Sequence, residues 1–218
     1  MSPAPRAAAP VLAVATALLV ALAGPLILFN PWFVSFEQAR AGAPALLGAT
    51  QVQVDAATGA ILRDLWTGGD FEVRLVEGGA PVLDAFERSH MRDVSVLVRV
   101  LAGLAVVAAL AGLVAGRVLR GRPRAIGGAM LAGAGLVGAL AAIAAVAFAV
   151  AFDAAFIAFH QLFFREGTYL FGPGSTLIRF FPEALWYESS LVAGALIVVS
   201  AAVVSVAGWR LLGTRTAG

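Results

Sequence analysis

The chain has 218 residues, 61% of them hydrophobic, and a formal net charge of +2 at pH 7. With a mean hydropathy of +0.91, against an apolar share of about 45–50% in soluble domains, it is excluded from the soluble globules and reads as an integral membrane protein. The absence of cysteine excludes disulfides, thiolate metal sites and a cysteine nucleophile. Two histidines leave too few ligands for a transition-metal site, so no metal or cofactor is expected, and no nucleic-acid partner.

A helix needs about 20 apolar residues to cross a bilayer. Four runs qualify: 11–29, 94–116, 125–148 and 189–212. The first is interrupted by Gly24-Pro25 and closed by Asn30-Pro31-Trp32. Ala21-Leu22-Ala23 resembles a signal-peptide cleavage site, but apolar character continues to Phe29, so a retained span is expected. In the long segment 32–93, residues 51–54 alternate polar and apolar and predict a short strand. Asp55 is placed to cap a helix with Ile61, Leu62, Leu65 and Trp66 on one face, stopped by Gly68-Gly69. Residues 71–76 alternate again, and Gly78-Gly79-Ala80-Pro81 breaks them. Asp84 and Glu87 read as a capping box opening a helix that runs unbroken into the second span. The third span carries Gly127, Gly133, Gly135 and Gly138 at spacings that let helix backbones approach closely. The expected fold is an all-α transmembrane four-helix bundle with a small mixed α/β cap. So few large apolar residues in the cap imply that it leans on the bilayer surface or the helix ends.

Arginine distribution orients the spans. All fifteen basic residues are arginine, and four of them fall in 117–124, RVLRGRPR. Arg6, Arg210 and Arg215 lie near the ends, whereas 32–93 holds nine acids against five arginines. The positive-inside rule then predicts cytoplasmic termini and a cytoplasmic Arg-rich turn. The chain divides into a first helix (1–31), an extracytoplasmic cap (32–93), a second helix (94–116), the turn (117–124), a third helix (125–149), an extracytoplasmic His/Phe-rich segment (150–188), a fourth helix (189–212) and a cytoplasmic tail (213–218). Trp32, Trp186 and Tyr187 fall at the outer interface and Trp209 at the inner one, as an aromatic belt.

Heights follow from a rise of about 1.5 Å per residue. Counted from Arg117, Arg99 stands about 27 Å up and His90 about 40 Å. Counted from Arg124, Asp153 stands about 43 Å up and His160 about 54 Å, less if the helix breaks or tilts. An apolar core about 30 Å thick puts both imidazoles in or just above the outer headgroup layer. Two readings of His160 stand: an interfacial histidine bonded to a carbonyl or headgroup, or a functional one. Asp153 shares its helix face two turns below, too far for direct contact without distortion. Around His90, Glu87 and Asp93 are neighbours at three residues, either a solvated capping cluster or a tuned site. Arg99 snorkels to the headgroups, or pairs internally with Asp153 or an anion. Phe148, Phe152, Phe156, Phe159 and Phe163 form a stripe, for helix packing or for walling an acyl-chain pocket.

Several chemistries are absent: no Gly-x-Ser-x-Gly elbow, no aspartate five positions after either histidine, no HExxH and no phosphate-binding glycine loop. No span carries a string of acids, and no inverted repeat is visible.

ERSHMRDV (87–94), FHQLFF (159–164) and LIRFFPE (177–183), in this order across four spans, resemble the signature of the bacterial lipoprotein intramolecular transacylase family, Lit. The resemblance covers essentially the whole chain. It implies a multi-pass protein of the bacterial cytoplasmic membrane that acts on a diacylglyceryl lipoprotein or a membrane lipid, moving the sn-2 acyl chain to the N-terminal cysteine amine. It implies catalytic roles for His90 and His160. Glu87, Asp93, Arg99, Asp153 and Glu183 are the expected supporting residues, and Phe156, Phe159, Phe163 and Phe164 the acyl-chain pocket. Where the family carries Trp and Asp-Pro before its third motif, this chain reads YLFGPGST (169–176).

Aminolysis of an ester needs a neutral amine, a stabilised oxyanion and a proton for the leaving alcohol. The expected roles are His160 as a desolvated base and His90, beside Asp93 and Glu87, as an imidazolium donor; the residues equally allow the reverse. A membrane scaffold with incidental histidines and an interfacial lipid hydrolase are the other readings.

Overall fold

The computed structural model describes residues 3–213; Arg215 and the tail beyond Gly213 lie outside the described residues. Those residues form nine α-helices and no strand. They are α1 (Pro3–Leu28), α2 (Pro31–Arg40), α3 (Ala43–Leu47), α4 (Gln51–Thr67), α5 (Ala85–Val118), α6 (Pro123–Val150), α7 (Phe152–Phe163), α8 (Thr176–Phe180) and α9 (Glu183–Leu212). Four are long and apolar enough to cross a membrane: residues Arg6–Leu28 of α1, and α5, α6 and α9. The chain divides into two compact units, Met1–Leu26 with Leu101–Val146 and Ala193–Gly218, and Ile27–Val100 with Ala147–Val192.

In the first unit the helices approach through small residues. A Cβ on Gly133 would strike the backbone of Ala13 and Ala17, and one on Gly127 the backbone of Gly208. Gly138 sits against Ala201, while Gly135 faces open space. Three of the four expected glycines therefore serve close packing. Large apolar side chains point outward instead: Leu113 is 65% exposed, Ile143 68% and Val203 64%. Only a hydrocarbon solvent tolerates such a surface. The expected interruption at Gly24-Pro25 does not occur, because α1 continues through both to Leu28. A proline removes one amide donor and can leave the rest of a helix intact.

The second unit corrects the mixed α/β expectation. Residues 51–54 are the first turn of α4, not a strand. Thr50 and Gln53 form a reciprocal capping box there, satisfying two end groups at once, and this local signal prevails over the polar–apolar alternation. Asp55, expected as the cap, accepts hydrogen bonds from Ser35 and Gln51. Residues 71–76 do alternate, with Phe71 and Val73 buried and Glu72 and Arg74 exposed. Val82 N donates to the Val73 carbonyl, but no strand forms among the described residues, so the alternation records burial on one side of an extended segment. The expected capping box at Asp84 and Glu87 is present in both directions, and α5 runs unbroken from Ala85 to Val118.

A core of Val54, Ile61, Leu62 and Leu65 from α4 meets Phe71, Val73 and Leu83 of the following segment, Met91 of α5, and Leu177 and Phe180 of α8. The segment 32–93 thus does lean on helix ends. The end of α4 is held by α5: Ser95 Oγ donates to the Leu65 carbonyl. The Arg99 guanidinium lies against Gly68, the left-handed C-cap of α4, where a cation complements the carbonyl end of the helix.

Candidate functional site

His90 sits in the second turn of α5, its side chain 6% exposed. His160 lies in the last turn of α7, partly buried. The two rings stack with centroids 6.1 Å apart and planes inclined by 23°. Both residues belong to the second unit. The convergence expected from the height count is therefore direct, although α6 ends at Val150 and a new helix starts at Phe152.

Aromatic rings enclose the pair. Phe164 and Phe171 meet His90 edge-on at 5.0 and 5.3 Å. Phe156, Phe159, Phe164 and Tyr169 surround His160 at 4.3–5.6 Å. The stripe along α7 holds, with Phe148, Phe152 and Phe156 in successive ring contact leading to His160. Phe163 packs on Phe159 and is 42% exposed.

Hydrogen bonding differentiates the imidazoles. His160 Nδ1 lies 2.8 Å from the Phe156 carbonyl. A carbonyl only accepts, so Nδ1 carries the proton and Nε2 of the neutral ring holds a free lone pair. Burial holds the His160 imidazole below its ordinary 6.5, and the opposing pull of the Phe156 carbonyl is the smaller of the two. His90 Nδ1 is buried with no hydrogen-bond partner. A bare lone pair there leaves less unsatisfied than an N–H, so the proton sits on Nε2. Protonating both rings would place two like charges 6.1 Å apart.

The expected acids do not serve His90 as anticipated. The Glu87 carboxylate is 2% exposed and turns away, accepting from Asp84 N, Ser175 Oγ and Leu177 N. It ties the start of α5 to the start of α8, where Ser175 is the N-cap. Asp93 is exposed, and no hydrogen bond or ion pair links it to His90 among the described residues. Asp153, exposed in the first turn of α7, pairs neither with His160 nor with Arg99 there. Glu183 is exposed in the first turn of α9. Tyr169, Phe171 and Ser175 are the neighbours that sequence reasoning missed. The aromatic pair in YLF and the Ser-x-x-Ile cap before α8 were the available signals.

A family model described as lipoprotein intramolecular transacylase Lit matches residues 11–186. Among solved structures, the membrane integral lipoprotein intramolecular transacylase Lit from Bacillus cereus superposes with a TM-score of 0.83 at 17% identity, covering 95% of each chain. Two variants of that protein, with a histidine replaced by arginine or by alanine, match at a TM-score of 0.75 and 16% identity. They cover 95% of this chain and 92% and 93% of theirs. No curated protein matches the chain in sequence.

Proposed function

The chain belongs to the lipoprotein intramolecular transacylase family, and we propose that its acyl transfer runs at the paired imidazoles of His90 and His160. It is a multi-pass membrane acyltransferase acting on a lipoprotein. The reaction we propose carries the sn-2 acyl chain of a diacylglyceryl lipoprotein to the α-amino group of its N-terminal cysteine. The single observation that carries this reading is the stacked pair itself, with His160 Nδ1 on the Phe156 carbonyl and His90 buried beside it.

The free α-amine, of pKa about 7.7–8.0, is mostly protonated at pH 7. Water takes one proton from the ammonium; the neutral nitrogen then attacks the ester carbonyl, the N–C bond forms, and His160 Nε2 takes a second N–H proton. His90 Nε2–H donates to the oxyanion, a neutral donor in a ring-lined, water-poor setting. The tetrahedral carbon then expels the glyceryl oxygen, which takes the proton back from His160. The products are an amide, a free sn-2 hydroxyl and the one proton that the starting ammonium gave to water. This modifies the expectation from sequence: an imidazolium at His90 is not needed, since one histidine can carry the proton both ways. Amine and ester share one molecule, so the protein's main task is to hold a reactive conformer. Phe156, Phe159, Phe163 and Phe164 would seat the acyl chains, with Phe171 and Tyr169 closing the pocket. Glu87 acts by holding α8, and Arg99 by holding α4.

The orientation we propose is N-in and C-in across the bacterial cytoplasmic membrane, with the imidazoles at the extracytoplasmic face. Arg117, Arg120, Arg122 and Arg124 around the α5–α6 turn support it, as do Arg6 and Arg210. The domain boundaries read from the sequence follow the same frame.

The test is expression of His90→Ala and His160→Ala in cells without such activity, followed by mass spectrometry of lipoprotein N-terminal peptides. Wild type should yield the N-acyl, lyso-form peptide, and each variant should lose about 10²–10⁴-fold in rate. Full activity in either variant would remove that histidine from the mechanism. A free fatty acid with an unmodified amine would replace the transacylase by a hydrolase.

A further inference from the structure

A second polar site lies away from the histidines, on α2 and the start of α9. Trp32, Phe33, Phe36, Leu191 and Val192 line a cavity of about 570 Å³ whose polar end is Glu37, Arg40 and Glu188. Glu37 is 4% exposed, and its Oε2 is buried without a hydrogen-bond donor. What faces it is the Glu188 carboxyl, itself paired with Arg40 at 2.9 Å. Burial, and then that neighbouring carboxyl, hold the Glu37 carboxyl above its usual range. The polar end therefore lacks one cation. A buried carboxyl that faces a second carboxyl ionises only at a cost, so the pair holds one proton, and it lines an apolar cavity.

The cavity's other side is shaped for a membrane lipid. Trp32 stacks on Phe36 at 6.2 Å and Arg40 lies over the Phe36 ring at 5.5 Å. Trp32 is 77% exposed, leaving an amphipathic stripe of the kind that sits at headgroup depth. Arg40 spends one nitrogen on Glu188, and a guanidinium offers five donors in all.

We propose that this cavity binds a phospholipid with a primary ammonium headgroup: the ammonium between Glu37 and Glu188, the phosphate on Arg40, and an acyl chain along Phe36 and Leu191. An entering ammonium replaces the shared proton of the carboxyl pair, which leaves to water. Discrimination follows from donor chemistry. A primary ammonium gives three N–H donors, a trimethylammonium none, and a glycerol headgroup no positive charge.

The experiment is native mass spectrometry of the full-length protein in detergent, titrated singly with phosphatidylethanolamine, phosphatidylcholine and phosphatidylglycerol of identical chains. The readout is binding, so it is independent of the acyl-transfer reaction. Phosphatidylethanolamine should bind about tenfold more tightly than either other lipid, as one charge-assisted hydrogen bond supplies. Glu37→Gln should abolish the preference, and Arg40→Gln should weaken all three lipids alike. Should Glu37→Gln fail to fold, Glu188→Gln carries the same expectation. Equal binding of the three lipids by wild type, a preference for phosphatidylglycerol, or a preference that survives both carboxyl substitutions would overturn the proposal. So would capture of a free-amine diacylglyceryl peptide without any capture of phosphatidylethanolamine.

Discussion

In the unit of Met1–Leu26, Leu101–Val146 and Ala193–Gly218, Thr16 is the only buried polar side chain among the described residues. In the other unit Glu37, Gln38, Thr58, Asp64, Glu87, His90 and Ser95 are all buried. The first holds together where glycine lets backbone meet backbone, as at Gly133 with Ala13 and Gly127 with Gly208. The second holds together through bonds that each satisfy a specific orphan group, as Gln38 does between Thr58 and the Phe180 carbonyl. The difference follows from solvent. Inside hydrocarbon a polar side chain without a partner is expensive, so close packing is the available adhesive. Nearer water, polar networks can be built, and a site that moves protons needs them.

The largest effect we expect outside the histidines is at Glu87. Its carboxylate accepts from Asp84 N, Ser175 Oγ and Leu177 N, and bonds to a charged acceptor contribute about 1.5–3 kcal/mol each. Glu87→Ala should cost about 3 kcal/mol in unfolding free energy, leaving the buried Leu177 amide unpaired, and should lower activity by loosening α8 beside the ring cage. Glu87→Gln should recover part of both. Thermal unfolding in detergent at the wild-type temperature for Glu87→Ala would show that this network is not what holds the second unit.

Next comes Gly133→Leu. The first atom added there already meets the Ala13 and Ala17 backbone, so the helices must separate, at about 1–3 kcal/mol. Because the histidines lie in the other unit, the drop in melting temperature should exceed any loss of activity per folded molecule. Equal losses of both would erase the contrast between the units.

How much of this was legible in the residues depends on whether the deciding signal was local. The four spans were, because twenty apolar residues in a row have few alternatives. So was the Asp84–Glu87 box, which needs only four residues to be recognised. At 51–54 two local signals competed, and Thr50 with Gln53 prevailed over QVQV. At 71–76 the alternation was real but strand status depends on a distant partner, which no local pattern reveals. The meeting of His90 and His160 was legible because two helices of known rise share one frame. Tyr169 and Phe171 were not, since a loop's place in space is set by what it packs against. Glu87 was seen as a neighbour of His90 by spacing, yet its carboxylate went to Ser175 and Leu177, some 88 and 90 residues away.

The pH dependence separates the imidazole from the substrate. The substrate amine, titrating near about 8, imposes one tenfold loss per pH unit below that value. Since the folded His160 lies below 6.5, its own protonation should add a second tenfold loss only at pH values beneath 6.5. The linkage has the same sign. The neutral ring's contribution to stability is complete above 6.5 and is lost as pH falls through the folded value. A rate profile measured on a lipopeptide that already steepens between pH 7 and 8 would mean that His160 is not held neutral.

The smallest effect is the sharpest control on packing. Gly135 shares α6 with Gly133 but faces open space, so a methyl there meets no neighbour. Glycine in a helix interior is about 0.8–1 kcal/mol less favourable than alanine. Gly135→Ala should therefore leave melting unchanged or raise it slightly, whereas Gly133→Ala, one methyl against the Ala13 carbonyl, should lower it. The two substitutions are chemically identical and two residues apart on one helix. If both lower the melting temperature alike, backbone approach at Gly133 is not what joins the first unit, and its cohesion must come from the apolar contacts of Val20, Ala134 and Ala201.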